Sequence, residues 1–389
     1  MPKLKVIFVP TNVSGVNFWR VYQPAQALKK IGVEAKVMYY GHNGYLMHPW
    51  ETDLLTLEHG PEIEKQMKKA CEWADIMVFM ALHTRHSMDL WQALRWQFES
   101  KPFLMEIDDY IFSIPPGNTA AQVFGPGTEI VKIFCEQMKA SDGVIVSTPF
   151  LADLYKEMNP RIHVAENAID FTLWRKKSPS PGRQGVTIGW VGGGSHTPDL
   201  ELVKDPIFKV LERNPEVTFK CIHGCPEFFK HHDRIHWTHE FTPINEYPDW
   251  VSSFGFDIGI APLVDNNFNR GKSNLRWLEY ASLKTPSVCS PLPHFKQTIE
   301  HGVNGYLADT PDQWVEYLET LIKDEKKRVE IGERAYQDAL QKFNITDMAV
   351  TYKNILLKEI THAVAHTFDT AATNRRFNRR PRQPSLEHI

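Results

Sequence analysis

Short apolar runs alternate with amphipathic stretches over most of this chain, and the alternation sets the expected architecture. Residues 3–10 form an apolar strand followed by a loop at 11–18 that contains Gly15. Helical spacing then holds over 24–31 and stops at Gly32. A strand at 34–40 comes next. The same order continues with apolar runs at 75–80, 102–107 and 141–147, a helix over 86–98 and a last strand over 161–169. Strands separated by helices predict a parallel sheet wound on both faces, with ligands beyond the strands' carboxyl ends.

Composition shifts over 171–185 to Lys, Ser, Pro and Gly, which reads as a linker, and the pattern then restarts. Strands are expected at 186–191, 217–223, 235–237, 257–263, 287–290 and 305–308, with a helix over 200–213. Beyond Pro311 the apolar residues keep helical spacing over 312–323, 325–343 and 345–363. The expected division is a first Rossmann-like domain at 1–172, a linker at 173–185 and a second Rossmann-like domain at 186–343. A helix at 344–366 is expected to pack back on the first domain, ahead of a basic, disordered tail at 367–389.

The stretch 257–286 carries chemistry at a joint between strand and helix. A strand closed by Pro262 leads through a polar loop at 264–271 into a helix that Lys272 and Ser273 open, with Ser273 as N-cap. On a helix Lys272, Arg276 and Glu279 share one face. A helix N-terminus beside a lysine suits a phosphate, and a carboxylate roughly 10 Å further along the axis can accept from both hydroxyls of a ribose. The alternative is a solvated face with an intrahelical ion pair.

Composition adds bounds rather than direction. A chain of 389 residues exceeds one ordinary core, so two domains are expected. A net charge of −3 gives no support to a globally basic nucleic-acid binder. Five cysteines, an odd number without framework spacing, fit a reduced, cytoplasmic protein. No apolar run approaches the roughly 18 residues of a membrane span.

Further candidates lie at predicted strand ends. Gly192, Gly193, Gly194 and Ser195 follow the first strand of the second half, where backbone N–H groups can approach a diphosphate unobstructed. Their contiguity does not match a dinucleotide fingerprint, which disfavours an NAD-dependent oxidoreductase. Asp108 and Asp109 follow the strand at 102–107 and can orient a substrate hydroxyl, take its proton or bind a divalent cation; an Asp-rich turn is the plain alternative. His83 is a further cleft candidate. Arg20 opens the first helix and is a candidate to reach across to a diphosphate in the cleft; a surface arginine is the plain alternative. His223, Cys225, His231, His232, His236 and His239 lack matched ligand pairs, and no metal is expected.

Several separate motifs carry a resemblance. They are Gly15 and Arg20 with Pro24, Ala27, Leu28 and Gly32; Glu166-Asn167-Ala168-Ile169-Asp170 with Trp174; Ile188-Gly189-Trp190-Val191-Gly192-Gly193; and Ile260-Ala261-Pro262-Leu263 through Glu279-Tyr280-Ala281. Over about residues 3–360 the chain resembles the two-domain GT-B glycosyltransferases, most closely the large retaining family 4, which has bacterial and bacteriophage members. The resemblance implies a nucleotide diphosphate sugar, UDP-glucose or another UDP-sugar first among them, held mainly by the second domain. The donor contacts are expected from Gly15, Arg20, Gly192, Gly193, Gly194, Ser195, Asn269, Lys272, Ser273, Arg276 and Glu279, with Asp108, Asp109 and His83 at the reacting centre. It also implies transfer with retention to an acceptor hydroxyl in the cleft, without a tightly bound cofactor or catalytic metal. The family often has a second glutamate eight positions before the ribose-binding one. Gly271 stands there in this chain, and Lys272, Ser273 and residues 266–269 are expected to substitute. The acceptor is a glycan, lipid or small molecule, or a modified DNA base reached through the tail from Arg375 to Arg382. A sugar-nucleotide epimerase and a non-catalytic nucleotide-sugar-binding protein are the competing readings.

Overall fold

The computed structural model describes residues 3–374 apart from 12, 13, 39–60, 119, 176–184, 241 and 243–245. Most of the predicted linker and the tail from Arg375 lie outside the described residues. Two six-stranded sheets, parallel throughout, form the framework. The first contains β1 (Lys5–Val9), β2 (Glu34–Val37), β3 (Ile76–Met80), β4 (Phe103–Ile107), β5 (Gly143–Val146) and β6 (Ile162–Val164), in the order β2-β1-β3-β4-β5-β6. The second contains β7 (Val186–Gly192), β8 (Val217–His223), β9 (Ile235–Thr238), β10 (Ile258–Ala261), β11 (Ser287–Cys289) and β12 (Tyr306–Leu307), in the order β12-β11-β10-β7-β8-β9.

This arrangement places the ligand crevice. Winding reverses between β1 and β3 in the first sheet and between β7 and β10 in the second, and loops leaving such reversal points part to leave an opening. The central strands read as near-continuous apolar runs because helices cover both faces. Ile76–Met80 and Ile258–Ala261 are buried at every position.

Several boundaries differ from the sequence expectation for identifiable reasons. The first helical segment begins at Gly15 rather than 24, and passes through a π-helical turn at Phe18–Tyr22. Pro24 has no N–H to donate to the Arg20 carbonyl, so the wider turn precedes it. The helix expected over 200–213 is split into Thr197–Glu201 and Lys204–Arg213, because Pro206 interrupts the ladder. The strand expected over 161–169 is only Ile162–Val164; Asn167 has left the sheet to contact the second domain.

The chain returns to the first domain at its end. Ile169 N donates to Phe343 O at 2.9 Å and Ile345 N to Ile169 O at 3.1 Å. The helix Ile345–Asn374 then packs on the helix Gln23–Lys30. It runs past the predicted limit at 366, since residues 367–374 contain neither Gly nor Pro to stop it. Among the described residues no helix is long and apolar enough to cross a membrane.

Candidate functional site

A cleft of about 720 Å³ lies between the carboxyl ends of the two sheets. From the second sheet it receives the end of β7 with Gly192–Gly194, the end of β10 with Ala261–Leu263, and Lys272, Ser273, Arg276 and Glu279. From the first it receives Gly15, Asp108, Asp109 and Asn167.

The glycine loop owes its path to the absence of side chains. A Cβ on Gly192 would fall 2.4 Å from the Trp190 ring, whereas one on Gly194 would meet nothing within 4 Å. The first glycine therefore lets the loop fold over Trp190. The third leaves open space above its backbone, as a diphosphate would require.

The helix beyond β10 starts later than its sequence suggests. It spans Leu275–Ser282 with Asn274 as N-cap, so Lys272 and Ser273 lie in the turn before it. The loop at 264–271 itself contains a short helix, Asn267–Arg270, capped by Asn266. Arg276 and Glu279 keep the expected shared face: Arg276 Nη1 donates to Glu279 Oε2, and to the Tyr247 hydroxyl at 3.2 Å. Glu279 is 2% exposed. Burial pushes its carboxyl up to about 7 against the opposing pull of Arg276 and Tyr247. Burial opposes the Arg276 charge, yet Glu279 and Tyr247 outweigh it and raise the guanidinium further.

Three contacts join the first domain to the turn at 271–273. Thr148 Oγ1 donates to Gly271 O at 3.2 Å, Asn167 Nδ2 to Ser273 Oγ at 2.8 Å, and Lys272 Nζ lies 3.6 Å from Asp109 Oδ1. Gly271 faces Leu151 and Tyr110, at 3.0 and 3.3 Å from a Cβ built there, and is not part of the cleft wall. A carboxylate at this position would meet the first domain's apolar side chains.

Asp108 and Asp109 stand where the sequence expectation put them, just beyond β4. Burial, then the Asp109 charge, lifts the Asp108 carboxyl to about 7, while Arg20 and Lys272 oppose the rise. His83 lines an adjoining cavity rather than the main cleft, with its ring edge-on to Phe124. Burial lowers its pKa, which favours the neutral imidazole.

Three expected donor residues do not form the cleft wall. Arg20 is 2% exposed; its Nε donates to Glu106 Oε1 and its Nη1 to Asn167 Oδ1, both at 2.8 Å. The π-helical turn aims it into the first domain. Asn269 Nδ2 donates to Asp199 Oδ1 at 2.9 Å and Val264 O at 3.0 Å, shaping the loop. Ser195 lies within the turn Gly194–His196. His196 stands in the cleft instead, its Nδ1 2.7 Å from Asp199 Oδ2. Burial lowers its pKa, with Asp199 opposing. An acceptor-only carboxylate fixes the proton on Nδ1 and turns Nε2 away from it as an acceptor. The spacing His196-x-x-Asp199 after a glycine run is the sequence signal for this pair. Asn167, Trp190, His223 and Tyr247 also line the cleft without having been assigned to it from sequence.

The two facing doubly wound domains, with the cleft at their strand ends, have the GT-B fold. Residues 204–354 match the model of the family described as Glycosyl transferase-like. Among curated proteins, the chain is 21% identical over 209 residues to TuaH of Bacillus subtilis, named as a glycosyltransferase of teichuronic acid biosynthesis. That match covers 48% of this chain and 49% of TuaH, so the chain spans about half the length of that relative. Among solved structures, Anabaena HepE in complex with UDP and glucose superposes with a TM-score of 0.66 at 15% identity, over 91% of this chain and 99% of HepE. S. aureus TarM, crystallised as a mutant with fondaparinux, α-GlcNAc-glycerol and UDP, gives 0.64 at 10% identity, over 91% of this chain and 100% of TarM. These structural likenesses establish the fold.

Proposed function

We propose that this protein transfers a sugar from a nucleotide diphosphate sugar, a UDP-sugar first among candidates, to an acceptor hydroxyl with retention at the anomeric carbon. One observation carries the reading: a single cleft collects Gly192–Gly194, Lys272, Arg276 and Glu279 from one domain and Asp108 from the other. Glu279 accepts from the ribose hydroxyls, with Arg276 fixing the carboxylate. The glycine-loop amides, Lys272 and the start of the helix Leu275–Ser282 face the diphosphate and stabilise the charge that grows on it as the sugar leaves. Asp108 accepts a hydrogen bond from the acceptor hydroxyl and so orients it towards the anomeric carbon. In the retaining course the hydroxyl proton passes to the departing diphosphate oxygen. Contacts from Thr148, Asn167 and Asp109 to the turn at 271–273 hold the domains together around the donor and limit the access of water. The crystallisation of HepE with UDP-glucose makes that donor the first to try.

The test incubates the full chain with UDP-glucose and other UDP-, GDP- and ADP-sugars, with and without alcohol acceptors, and identifies products by mass and anomeric configuration. Transfer requires nucleoside diphosphate and a glycoside of the donor sugar in equal amounts. A new sugar formed without acceptor would make the protein an epimerase. Donor binding without transfer or hydrolysis would make it a binding protein, and an inverted glycoside would assign the hydroxyl proton to Asp108.

A further inference from the structure

Beside the donor cleft lies a second cavity of about 210 Å³ within the first domain, and Ser14, Val16, Asp108 and Asp109 line both. Beyond those shared residues its walls are mainly hydrocarbon: Met80 and Leu82 at the end of β3, Ile107 at the end of β4, and Ile114, Phe124 and Phe134. Most are fully packed from behind, with Leu82 2%, Ile107 4% and Phe134 1% exposed, so the cavity is part of the folded core's outline rather than a surface dent. His83 interrupts the apolar wall. No hydrogen bond joins its imidazole to another side chain among the described residues, and the ring is held edge-on to Phe124 at 5.2 Å between centroids.

We propose that this cavity seats the apolar body of the acceptor, and that the acceptor is a compact alcohol whose hydroxyl is borne on an aromatic or branched aliphatic group. The proposal rests on the glycosyl-transfer reading above and adds the acceptor's chemical class. Size supports it: an apolar cavity of about 150 Å³ accommodates benzene, and this one has room for such a ring with a hydroxymethyl group. Polarity supports it as well. A free hexose would press several hydroxyls against hydrocarbon, where each unpaired one counts against binding. An apolar body with one hydroxyl leaves nothing stranded, because that hydroxyl emerges at Asp108, where the two cavities meet. His83 offers one hydrogen bond to a second heteroatom on the ring. In the reaction the acceptor oxygen bonds to the anomeric carbon, the bond from that carbon to the diphosphate oxygen breaks, and the hydroxyl proton goes to the departing diphosphate. An aromatic hydroxymethyl group could also be presented by a base turned out of DNA, but its hydrogen-bonding edge needs several polar partners at once, and twelve of the eighteen lining residues are apolar, with only Thr11, Ser14, Asn17, His83 and the two aspartates polar.

The test uses the full chain, UDP-glucose or whichever sugar nucleotide raises its Tm most, and three acceptors: benzyl alcohol, free glucose, and a duplex carrying 5-hydroxymethylcytosine. Benzyl alcohol should exceed glucose at least tenfold in kcat/KM and exceed the duplex likewise. Ala120→Trp, which fills the cavity, should lower transfer to benzyl alcohol at least tenfold while the Kd for the nucleotide stays within twofold; Ala120→Leu serves if the larger residue impairs folding. Preference for glucose or for the duplex overturns the proposal, as does benzyl alcohol transfer that is indifferent to filling. Failure of the wild type to bind any sugar nucleotide would instead refute the donor site, a separate result read by calorimetry before any acceptor is added.

Discussion

Tyr352→Phe removes one hydroxyl from the buried polar chain that ties the carboxyl-terminal helix to the first sheet. That hydroxyl donates to Glu106 Oε2 at 2.6 Å, and both residues are 0% exposed. Glu106 also accepts from Arg20 at 2.8 Å, so the variant leaves the ion pair intact and strips one partner from the carboxylate. Burial raises the Glu106 pKa, with Arg20 and Tyr352 opposing the rise, so losing the hydroxyl makes the ionised carboxylate harder to hold. A hydrogen bond to a charged group contributes about 1.5–3 kcal/mol. For a unit of 150–250 residues each kcal/mol moves Tm by about 2–4 °C, which gives a fall of roughly 3–12 °C for the transition of the first domain. Scanning calorimetry reads this directly. Affinity for UDP, measured well below the transition, should stay within twofold because Arg276 and Glu279 stand on the second sheet's side. A Tm within about 1 °C of the wild type would refute the assigned role of this bond.

Four further outcomes follow from the cleft. Asp108 is ionised above about 7; since only the carboxylate accepts from the acceptor hydroxyl, the transfer rate should fall about tenfold per pH unit below that value and level off above it. Asp108→Asn should be slower by at least about tenfold and lose this acidic limb; a variant with wild-type rate and profile would exclude Asp108 from the reaction. Gly192→Ala drives a Cβ to 2.4 Å from the Trp190 ring and should cost about 1–3 kcal/mol of stability in denaturant titration. Gly194→Ala, with nothing within 4 Å, should leave stability within about 0.5 kcal/mol. Equal effects of the two would contradict the account of the loop.

The framework was legible because buried central strands such as β1, β3, β5 and β10 are written as apolar runs, whereas the more peripheral β2, β8 and β9 carry charged or polar residues among their apolar ones. The helix Pro61–Trp73 was not assigned from sequence, although Ile63, Met67, Ala70 and Cys71 carry its apolar spacing. At the cleft, Arg276 and Glu279 could be paired from sequence because helix geometry links positions three apart. Arg20 could not be placed, since its partners Glu106 and Asn167 are 86 and 147 positions away. Its charge suggested a ligand; the fold satisfies that charge internally. Gly271 shows the same limit in reverse: its place against Leu151 and Tyr110 depends on how two domains meet, which no local pattern encodes.

The central claim is that a nucleoside diphosphate lies in the cleft with its ribose on Glu279. Titration calorimetry of UDP against the wild type and Glu279→Ala tests it most directly. Loss of a hydrogen bond to a carboxylate, about 1.5–3 kcal/mol, predicts a rise in Kd of about 12- to 140-fold. Because the Glu279 carboxyl sits at about 7, wild-type affinity should also weaken as pH falls through that value, as protonation removes an acceptor, whereas the alanine variant should lack this dependence. An unchanged Kd in Glu279→Ala, with the fold intact by circular dichroism, would contradict the account.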